Sequence, residues 1–219
     1  MSVLWTFGDS FTFGHGCRKD CHNNSYYLKY RKEDDDIWSN HLSKYLNFEV
    51  KNFGKNGASN DYIFDSIIKN YDSINENDIV IIGKTIYGRI EIPNSKKEWV
   101  SVFSDIEGKS NWWYEQPLSD FSVEELETII NFQYFFSTNE LYKIRHDDRF
   151  NFLKNRLIND KKIESCFVWQ IEDRELMNNF QTINTATKNE IKDFHFSFKG
   201  HLDFATFLFS KLRKPNKLL

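Results

Sequence analysis

The first candidate for chemistry is a serine that follows an apolar, β-prone run near the start of the chain. The run from Val3 to Phe7 is typical of a strand, and it ends at Gly8-Asp9-Ser10. Ligands of open α/β sheets bind at the carboxyl ends of the strands, so a hydroxyl here would face a ligand. A helix that begins just after Ser10 would also direct free N–H groups toward the reacting atoms. The same residue types form turns and cap helices, which is the structural alternative for this segment.

The residues that follow alternate between helix and strand patterns. A helix capped by Asp36 is predicted over 36–46, a second strand over 48–53, and a second helix that begins at Ser59 or Asn60,. The unbroken apolar run over 78–83 is what a central parallel strand, covered on both faces, requires,. This order favours a parallel sheet with right-handed crossovers.

The second half of the chain contains an irregular segment and then further regular elements. Residues 89–121 are rich in tryptophan and polar residues and resemble an insertion or lid. Beyond it the patterns predict helices over 122–136 (opened by a capping box at Ser122) and 139–159, strands over 166–170 and 180–183, and a closing helix over 200–214,. The predicted fold is a three-layer α/β/α sandwich with a mostly parallel sheet of about five strands. It forms one domain over 1–219 with a variable insertion at about 89–160.

Composition narrows the possible partners and the compartment. With 219 residues, a net charge of −3 and a pI near 6.1, the chain gives no global reason to expect nucleic-acid binding,. No apolar run approaches the roughly 18 residues that span a bilayer, and no signal-peptide pattern is present. Three cysteines do not suggest a disulfide framework,. We therefore expect a cytoplasmic protein without membrane or nucleic-acid partners, and its oligomeric state stays open.

Four short segments fall at the carboxyl ends of predicted strands. They are Gly8-Asp9-Ser10, Asn52 to Gly57, Gly83-Lys84-Thr85, and Asp193-Phe194-His195 followed by Gly200-His201. In order and spacing they resemble the SGNH (GDSL-like) hydrolase superfamily, over nearly the whole chain except the insertion. The resemblance implies a flavodoxin-like α/β/α fold, with Ser10 as nucleophile, the N–H of Gly57 in the oxyanion hole and His195 as general base.

These residue types fit one reaction. A serine hydroxyl is a poor nucleophile until an imidazole takes its proton. The tetrahedral intermediate carries a negative oxygen that needs preorganised N–H donors, for which Ser10 and Gly57 are candidates. The imidazole needs an acceptor at its other nitrogen, and Asp193 is the nearest acid in sequence. His201, close to the start of the last helix, is expected to pack or hydrogen-bond there rather than act as the base.

Two motifs depart from the pattern of the family. Its last motif is usually Asp-x-x-His, whereas here Lys192 stands at the usual position and the acid is Asp193. Its third motif is usually Gly-x-Asn-Asp, and here Thr85 replaces the asparagine that donates to the oxyanion. The hydroxyl of Thr85, Asn60 and Arg89 are the candidates for a replacement donor. Because one such donor is worth about 2.7–4 kcal/mol in a protease, a weakened or altered activity is one expectation.

Two other clusters invite a functional interpretation. Histidines and cysteines gather in one, which consists of His15, Cys17, Cys21 and His22. These types bind zinc, but the spacing fits no common zinc motif, so neither a metal site nor a cofactor is predicted. The other cluster contains Trp112 and Trp113. They would form an aromatic wall of the substrate site, or else anchor the insertion.

The sequence thus predicts a serine esterase that hydrolyses a small ester through an acyl-serine intermediate. A glycan O-acetyl group is one candidate substrate, with Asn60, Arg89, Trp112 and Trp113 as contacts. An acyl-thioesterase or acyltransferase on the same residues is the alternative enzyme. A non-catalytic module that keeps the fold and binds a sugar or a protein is the second alternative; Thr85 favours it, and the Ser10–His195 pair opposes it.

Overall fold

The described residues contain six strands, four of which form the central sheet. The computed structural model describes residues 2–15, 37–93, 99–102, 122, 124–125, 127–129, 131–132, 140–188 and 193–213. Its strands are β1 (Val3–Gly8), β2 (Glu49–Gly54), β3 (Ile79–Lys84), β4 (Ile90–Pro93), β5 (Trp99–Val102) and β6 (Ser165–Gln170). The first three and β6 make a parallel sheet in the order β2-β1-β3-β6, while β4 and β5 pair separately as an antiparallel hairpin.

Helices connect these strands and cover the sheet. They are α1 (Ser10–Phe13), α2 (Trp38–Leu46), α3 (Asn60–Asn70), α4 (Glu140–Lys161), α5 (Arg174–Met177), α6 (Ile183–Ala186) and α7 (Phe198–Leu212). Residues 124–125, 127–129 and 131–132 are also helical, and Ser122 and Glu125 form the predicted capping box before them. Among the described helices, none combines the length and apolar character that crossing a membrane requires.

The central strands β1 and β3 are apolar on both faces because both faces are covered. Successive side chains of a strand point to opposite sides, so Val80 and Ile82 join one buried cluster, and Ile79 and Ile81 join the other,. The first cluster contains residues of α3 and α4, and the second contains residues of α2 and α7. The predicted three-layer α/β fold with a parallel sheet is thereby confirmed.

A buried carboxylate sets the position of β1 beside β3. The Oδ1 atom of Asp78 accepts from the backbone N–H of Val3 at 2.8 Å. Its Oδ2 atom accepts from the indole N–H of Trp5 at 2.8 Å and from the backbone N–H of Asn75 at 2.9 Å. Asp78 is only 2% exposed, so these donors replace the water that the carboxylate loses on folding,.

The predicted fifth strand over 180–183 is wrong. Within the described chain this segment makes only an isolated bridge, between Thr182 and Phe196, and then turns into helix α6. The reason is a capping box in which the side chains of Thr182 and Thr185 each bond the other residue's backbone N–H,. Thr182 and Ile183, which suit a strand by propensity, therefore start a helix,.

Two predicted helix starts also differ from the structure. Helix α2 begins at Trp38 with Ile37 at its N-cap and no side-chain cap, and Asp36 lies outside the described residues. Helix α7 begins at Phe198 rather than at residue 200, because the hydroxyl of Ser197 caps it by accepting from the N–H of Gly200.

His201 supplies the cap that α2 lacks, in agreement with its expected packing role. Its Nδ1 atom accepts the backbone N–H of Trp38 at 3.2 Å, which satisfies a donor that the first turn of a helix leaves free,. The ring is 1% exposed, and this burial lowers the pKa of His201 to about 3. The proton of the neutral ring is therefore on Nε2, and the imidazole stays uncharged at neutral pH.

We predict that His201 makes the protein less stable in mild acid. Below about pH 6.5 this histidine binds a proton in the unfolded chain, whereas its buried ring in the folded chain does not. The free energy of unfolding therefore falls as the pH is lowered below that value. His201→Asn keeps an acceptor near Trp38 but cannot titrate, and it should remove up to about 1.4 kcal/mol per pH unit of this loss. Urea unfolding of both proteins at pH 7.5 and pH 5.0 measures the difference. An equal loss in both would contradict the prediction.

Candidate active site

Ser10 lies where β1 ends, at the carboxyl edge of the sheet, and is the first residue of α1. Gly8 allows the chain to turn back sharply, because a Cβ at this position would lie 2.1 Å from Oγ1 of Thr12. Asp9 caps α1 by accepting from the N–H of Phe11 at 3.1 Å. Helix α1 is a single turn, so only a few peptide dipoles are aligned behind Ser10,.

The structure brings Ser10, His195 and Asp193 into one chain of hydrogen bonds. The Nε2 atom of His195 lies 2.7 Å from Oγ of Ser10, across 185 positions of sequence. The Nδ1 atom of His195 lies 2.7 Å from Oδ1 of Asp193, and the same oxygen accepts the backbone N–H of His195 at 2.9 Å. The Asp-x-His spacing thus still places the acid against the ring. Such an arrangement can move a proton from the hydroxyl to Nε2.

The loop that carries Asp193 and His195 is held by the start of α6. The backbone N–H of Ile183 donates to the carbonyl of His195 at 2.8 Å, and the N–H of Asn184 donates to the carbonyl of Asp193 at 2.7 Å. The first N–H groups of a helix have no partner inside the helix, so these two are available for the loop. The segment predicted as a fifth strand therefore serves as the support of the histidine loop.

Gly57 lies in a tight turn that is attached to the end of β1. The N–H of Lys55 donates to the carbonyl of Gly8 at 3.1 Å, and the N–H of Ala58 closes the turn on the carbonyl of Lys55 at 3.1 Å. Gly57 is the third residue of this turn and has a φ of 73°, a region that favours glycine,. The turn thus brings a glycine N–H to the same edge of the sheet as Ser10.

Four buried polar residues form a network directly behind Ser10, which we call the Asp9 network: Asp9, Asn60, Thr85 and Arg89. The hydroxyl of Thr85 donates to Oδ2 of Asp9 at 2.8 Å and accepts from Nη1 of Arg89 at 3.0 Å. Arg89 Nη1 lies 3.5 Å from the same carboxylate oxygen and donates to the carbonyl of Ala58 at 3.0 Å. Asn60 pairs with the backbone of Thr85 through two bonds of 3.0 Å.

This network includes three of the residues that the sequence predicts for the site. Thr85 has one hydroxyl proton, and the structure gives it to Asp9,. Asn60 and Arg89 are buried, and their bonds join the ends of β1 and β3 to the start of α3. The oxyanion contact of Thr85 and the substrate contacts of Asn60 and Arg89 stay predictions.

Aromatic rings surround the imidazole of His195. The ring of Phe11 lies 4.7 Å away between centroids, and the ring of His15 lies 4.4 Å away. Phe194 is 68% exposed although it stands between two buried or half-buried polar residues. Phe194 is not among the residues that the motifs predict for the site, and the only signal for it is its place inside the Asp-Phe-His motif. Five candidate positions of the sequence lie outside the described residues: Cys17, Cys21, His22, Trp112 and Trp113.

A second polar cluster lies at the carboxyl ends of β3 and β6. Lys84 forms an ion pair with Asp147 of α4, and the hydroxyl of Tyr87 donates to the same carboxylate at 2.8 Å. The Tyr87 hydroxyl also lies 3.3 Å from Oε1 of Gln170. Burial, and then the neighbouring carboxylate of Asp147, raise the pKa of Tyr87. This cluster attaches α4 to the edge of the sheet.

The fold and the site define a mixed α/β protein with a serine–histidine–aspartate arrangement at the carboxyl edge of a parallel sheet. Residues 4–84 match the family described as GDSL-like Lipase/Acylhydrolase. The match confirms the resemblance that the motifs indicate, and it supports a role as an esterase or acylhydrolase. The matched segment includes Ser10, Gly57 and Thr85, while Asp193 and His195 lie beyond it. No curated protein matches the chain.

The chain is also similar to several solved structures, at low identity and low TM-score. A lipolytic protein of the G-D-S-L family from Desulfitobacterium hafniense DCB-2 is 14% identical, with 97% of this chain and 99% of that chain covered and a TM-score of 0.39. The lipase/acylhydrolase from Enterococcus faecalis is 12% identical, with coverages of 97% and 95% and a TM-score of 0.40. The acetyl xylan esterase Est2A from Butyrivibrio proteoclasticus is 15% identical, with coverages of 97% and 63% and a TM-score of 0.43.

We predict that the Asp9 network contributes strongly to stability. Arg89→Met leaves the buried carboxylate of Asp9 without its cation, which should lower the free energy of unfolding by about 3–5 kcal/mol. Adding Asp9→Asn to this variant removes the unpaired charge and should restore part of the loss. Lys199→Met is the matched control, because it breaks an exposed ion pair with Asp203 worth less than about 1 kcal/mol,. Urea unfolding of all variants tests this, and equal losses for Arg89→Met and Lys199→Met would contradict it.

Proposed function

We propose that the protein is a serine esterase that cleaves a small ester through an acyl-serine intermediate. The observation that carries the proposal is the pair of 2.7 Å contacts that link Ser10, His195 and Asp193. A serine in this geometry has both a base for its proton and a carboxylate that orients the base. The family match, which supports an esterase or acylhydrolase, agrees with this reaction class.

The reaction follows from the hydrogen bonds of His195. Because Asp193 accepts at Nδ1, the neutral ring carries its proton there and Nε2 is free to take the hydroxyl proton of Ser10,. The Oγ atom then attacks the ester carbonyl, and the imidazolium gives its proton to the departing alcohol. Water attacks the acyl-serine by the same route, which releases the acid and restores Ser10. Asp193 stabilises the charged ring in both steps.

Backbone donors are proposed for the oxyanion hole. The N–H groups of Ser10 and Gly57 are the two candidates, since both residues belong to segments fixed at the end of β1. Backbone donors are preorganised, so they stabilise the developing charge without reorganising during the reaction. Thr85 contributes indirectly, because its hydrogen bond holds Asp9, the residue that caps helix α1 directly before Ser10.

The alcohol side of the substrate is proposed to lie near Phe194. The leaving alcohol must approach Nε2 of His195. Phe194 directly precedes His195 in the loop that hydrogen bonds from the start of α6 hold in place. An exposed aromatic ring can cover a sugar or another ring without demanding one geometry,. An acetyl ester of a sugar is therefore the substrate class that we propose, with Trp112 and Trp113 as further proposed contacts.

Thr85 keeps a second candidate function open. The hydroxyl that stands at the position of the usual asparagine donor is bonded to Asp9, so the oxyanion would depend on backbone N–H groups alone. This favours weak turnover, or a module that binds an acylated sugar or a protein without cleaving it. Transfer of the acyl group to an acceptor other than water would use the same serine.

We predict that Ser10, His195 and Asp193 act as one unit. Ser10→Ala and His195→Ala should each lower kcat/KM for p-nitrophenyl acetate by about 10⁴-fold or more, and the double variant should be little worse. Asp193→Asn should cost less than either. Mass spectrometry after reaction with a fluorophosphonate should find one adduct, on the peptide with Ser10. Labelling of the Ser10→Ala protein at the same rate would exclude the mechanism, and an inert wild-type protein would favour the binding module.

We predict that Phe194 contributes to binding of the alcohol group. Phe194→Ala should raise KM for acetylated sugars by about 2- to 10-fold, which is the range of an aromatic contact. The rate on ethyl acetate should change little, because that alcohol is too small to reach a ring. Phe152→Ala is the matched control, since Phe152 is 63% exposed on α4. Initial rates over a range of substrate concentrations measure this, and equal changes in both variants would reject the contact.

A further inference from the structure

His15 is a second imidazole at the site that the proposed acyl transfer does not use. Its ring lies 4.4 Å from the ring of His195 between centroids, with 42° between the planes. One donor atom each of His15, Asp193 and His195 lies within 4.8 Å of the other two. In the sequence His15 stands near cysteines at no common metal-binding spacing, whereas the fold places it beside residues that are 178 and 180 positions away.

The three side chains have the chemistry of a transition-metal site. Two imidazole nitrogens and one carboxylate oxygen are ligands that Zn²⁺ takes, at about 2.0–2.2 Å each. Three protein ligands leave a fourth position for water, as in sites that are open to solvent. His15 and His195 are both partly exposed, so an ion can reach them, whereas Asp193 is 9% exposed and anchored through its backbone carbonyl.

We propose that His15, Asp193 and His195 bind a transition-metal ion such as Zn²⁺, and that the bound ion inhibits the esterase. A metal at this place draws on the imidazole of His195 and the carboxylate of Asp193, both of which the reaction needs. The ring then no longer exchanges a proton with Ser10, and the serine loses its base. The proposal of metal binding depends only on these three side chains. The proposal of inhibition also rests on the proposed function.

The competing explanation is that His15 is merely an aromatic cover for His195. A phenylalanine at position 15 would serve that purpose equally, because it keeps a ring in the same place but has no nitrogen. His15→Phe therefore separates metal binding from packing. The double variant Cys17→Ser, Cys21→Ser is the matched control for thiol binding nearby in the sequence, since it keeps all three proposed ligands.

Calorimetric titration of the full chain with ZnCl₂ tests the site without any activity measurement. The wild-type protein and the double cysteine variant should bind one ion with similar affinity. His15→Phe should bind about 100-fold more weakly or worse, since even the partners of metal ligands are worth about 10–100-fold. MgCl₂ should not bind, because Mg²⁺ prefers oxygen ligands. Equal zinc affinity in wild type and His15→Phe, or loss of binding in the cysteine variant, would overturn the proposal.

Inhibition is measured separately with p-nitrophenyl acetate. Zinc should inhibit the wild-type protein at the concentrations that saturate the calorimetric site, and EDTA should restore the rate. For His15→Phe, half-inhibition relative to its own zinc-free rate should require about 100-fold more zinc. Saturation without inhibition of an active enzyme would overturn the inhibitory role. Zinc binding by a protein without esterase activity would keep the site and reject the proposed function instead.

Discussion

The position of Ser10 depends on the buried carboxylate of Asp9. One oxygen of this carboxylate caps the helix that begins at Ser10, and the other accepts the hydroxyl of Thr85 and faces Arg89. Asp9 is 1% exposed, and burying a carboxylate costs free energy unless its oxygens accept hydrogen bonds or face a cation,. The folded protein must therefore supply these partners. Ser10 is therefore tied to the ends of two neighbouring strands rather than to its own short helix.

The histidine loop is positioned by a different device. Its carbonyls accept the first N–H groups of α6, while Ser197 at its end caps α7 and also donates to the carbonyl of Gln181. Unsatisfied groups at helix ends are thus used as attachment points for a loop. The result is that Ser10 and His195, which belong to opposite ends of the chain, meet at the same edge of the sheet, Ser10 next to the carboxylate of Asp9 and His195 on a loop held by backbone hydrogen bonds.

Thr85 stands where the family usually has an asparagine, and its hydroxyl stabilises the buried Asp9 network next to Ser10. The hydroxyl of Thr85 donates to Asp9 and accepts from Arg89, and through these bonds the third motif supports the segment that carries Ser10. The site also contains a second imidazole, His15, beside the ring of His195. Such an environment can serve both acyl chemistry and metal binding, because both use the lone pair of the same histidine.

The sequence alone determined the parallel α/β framework, since the apolar runs of β1 and β3 and the amphipathic helices can bury their surfaces in few other ways. It also indicated Ser10 and Gly57, whose motifs follow β1 and β2, and His195 through the resemblance of its motif to the family. Only the tertiary structure decided that Thr85 faces Asp9 and that His15 meets His195. These are contacts between segments far apart in the chain, and no local pattern records which partner a buried polar group will find.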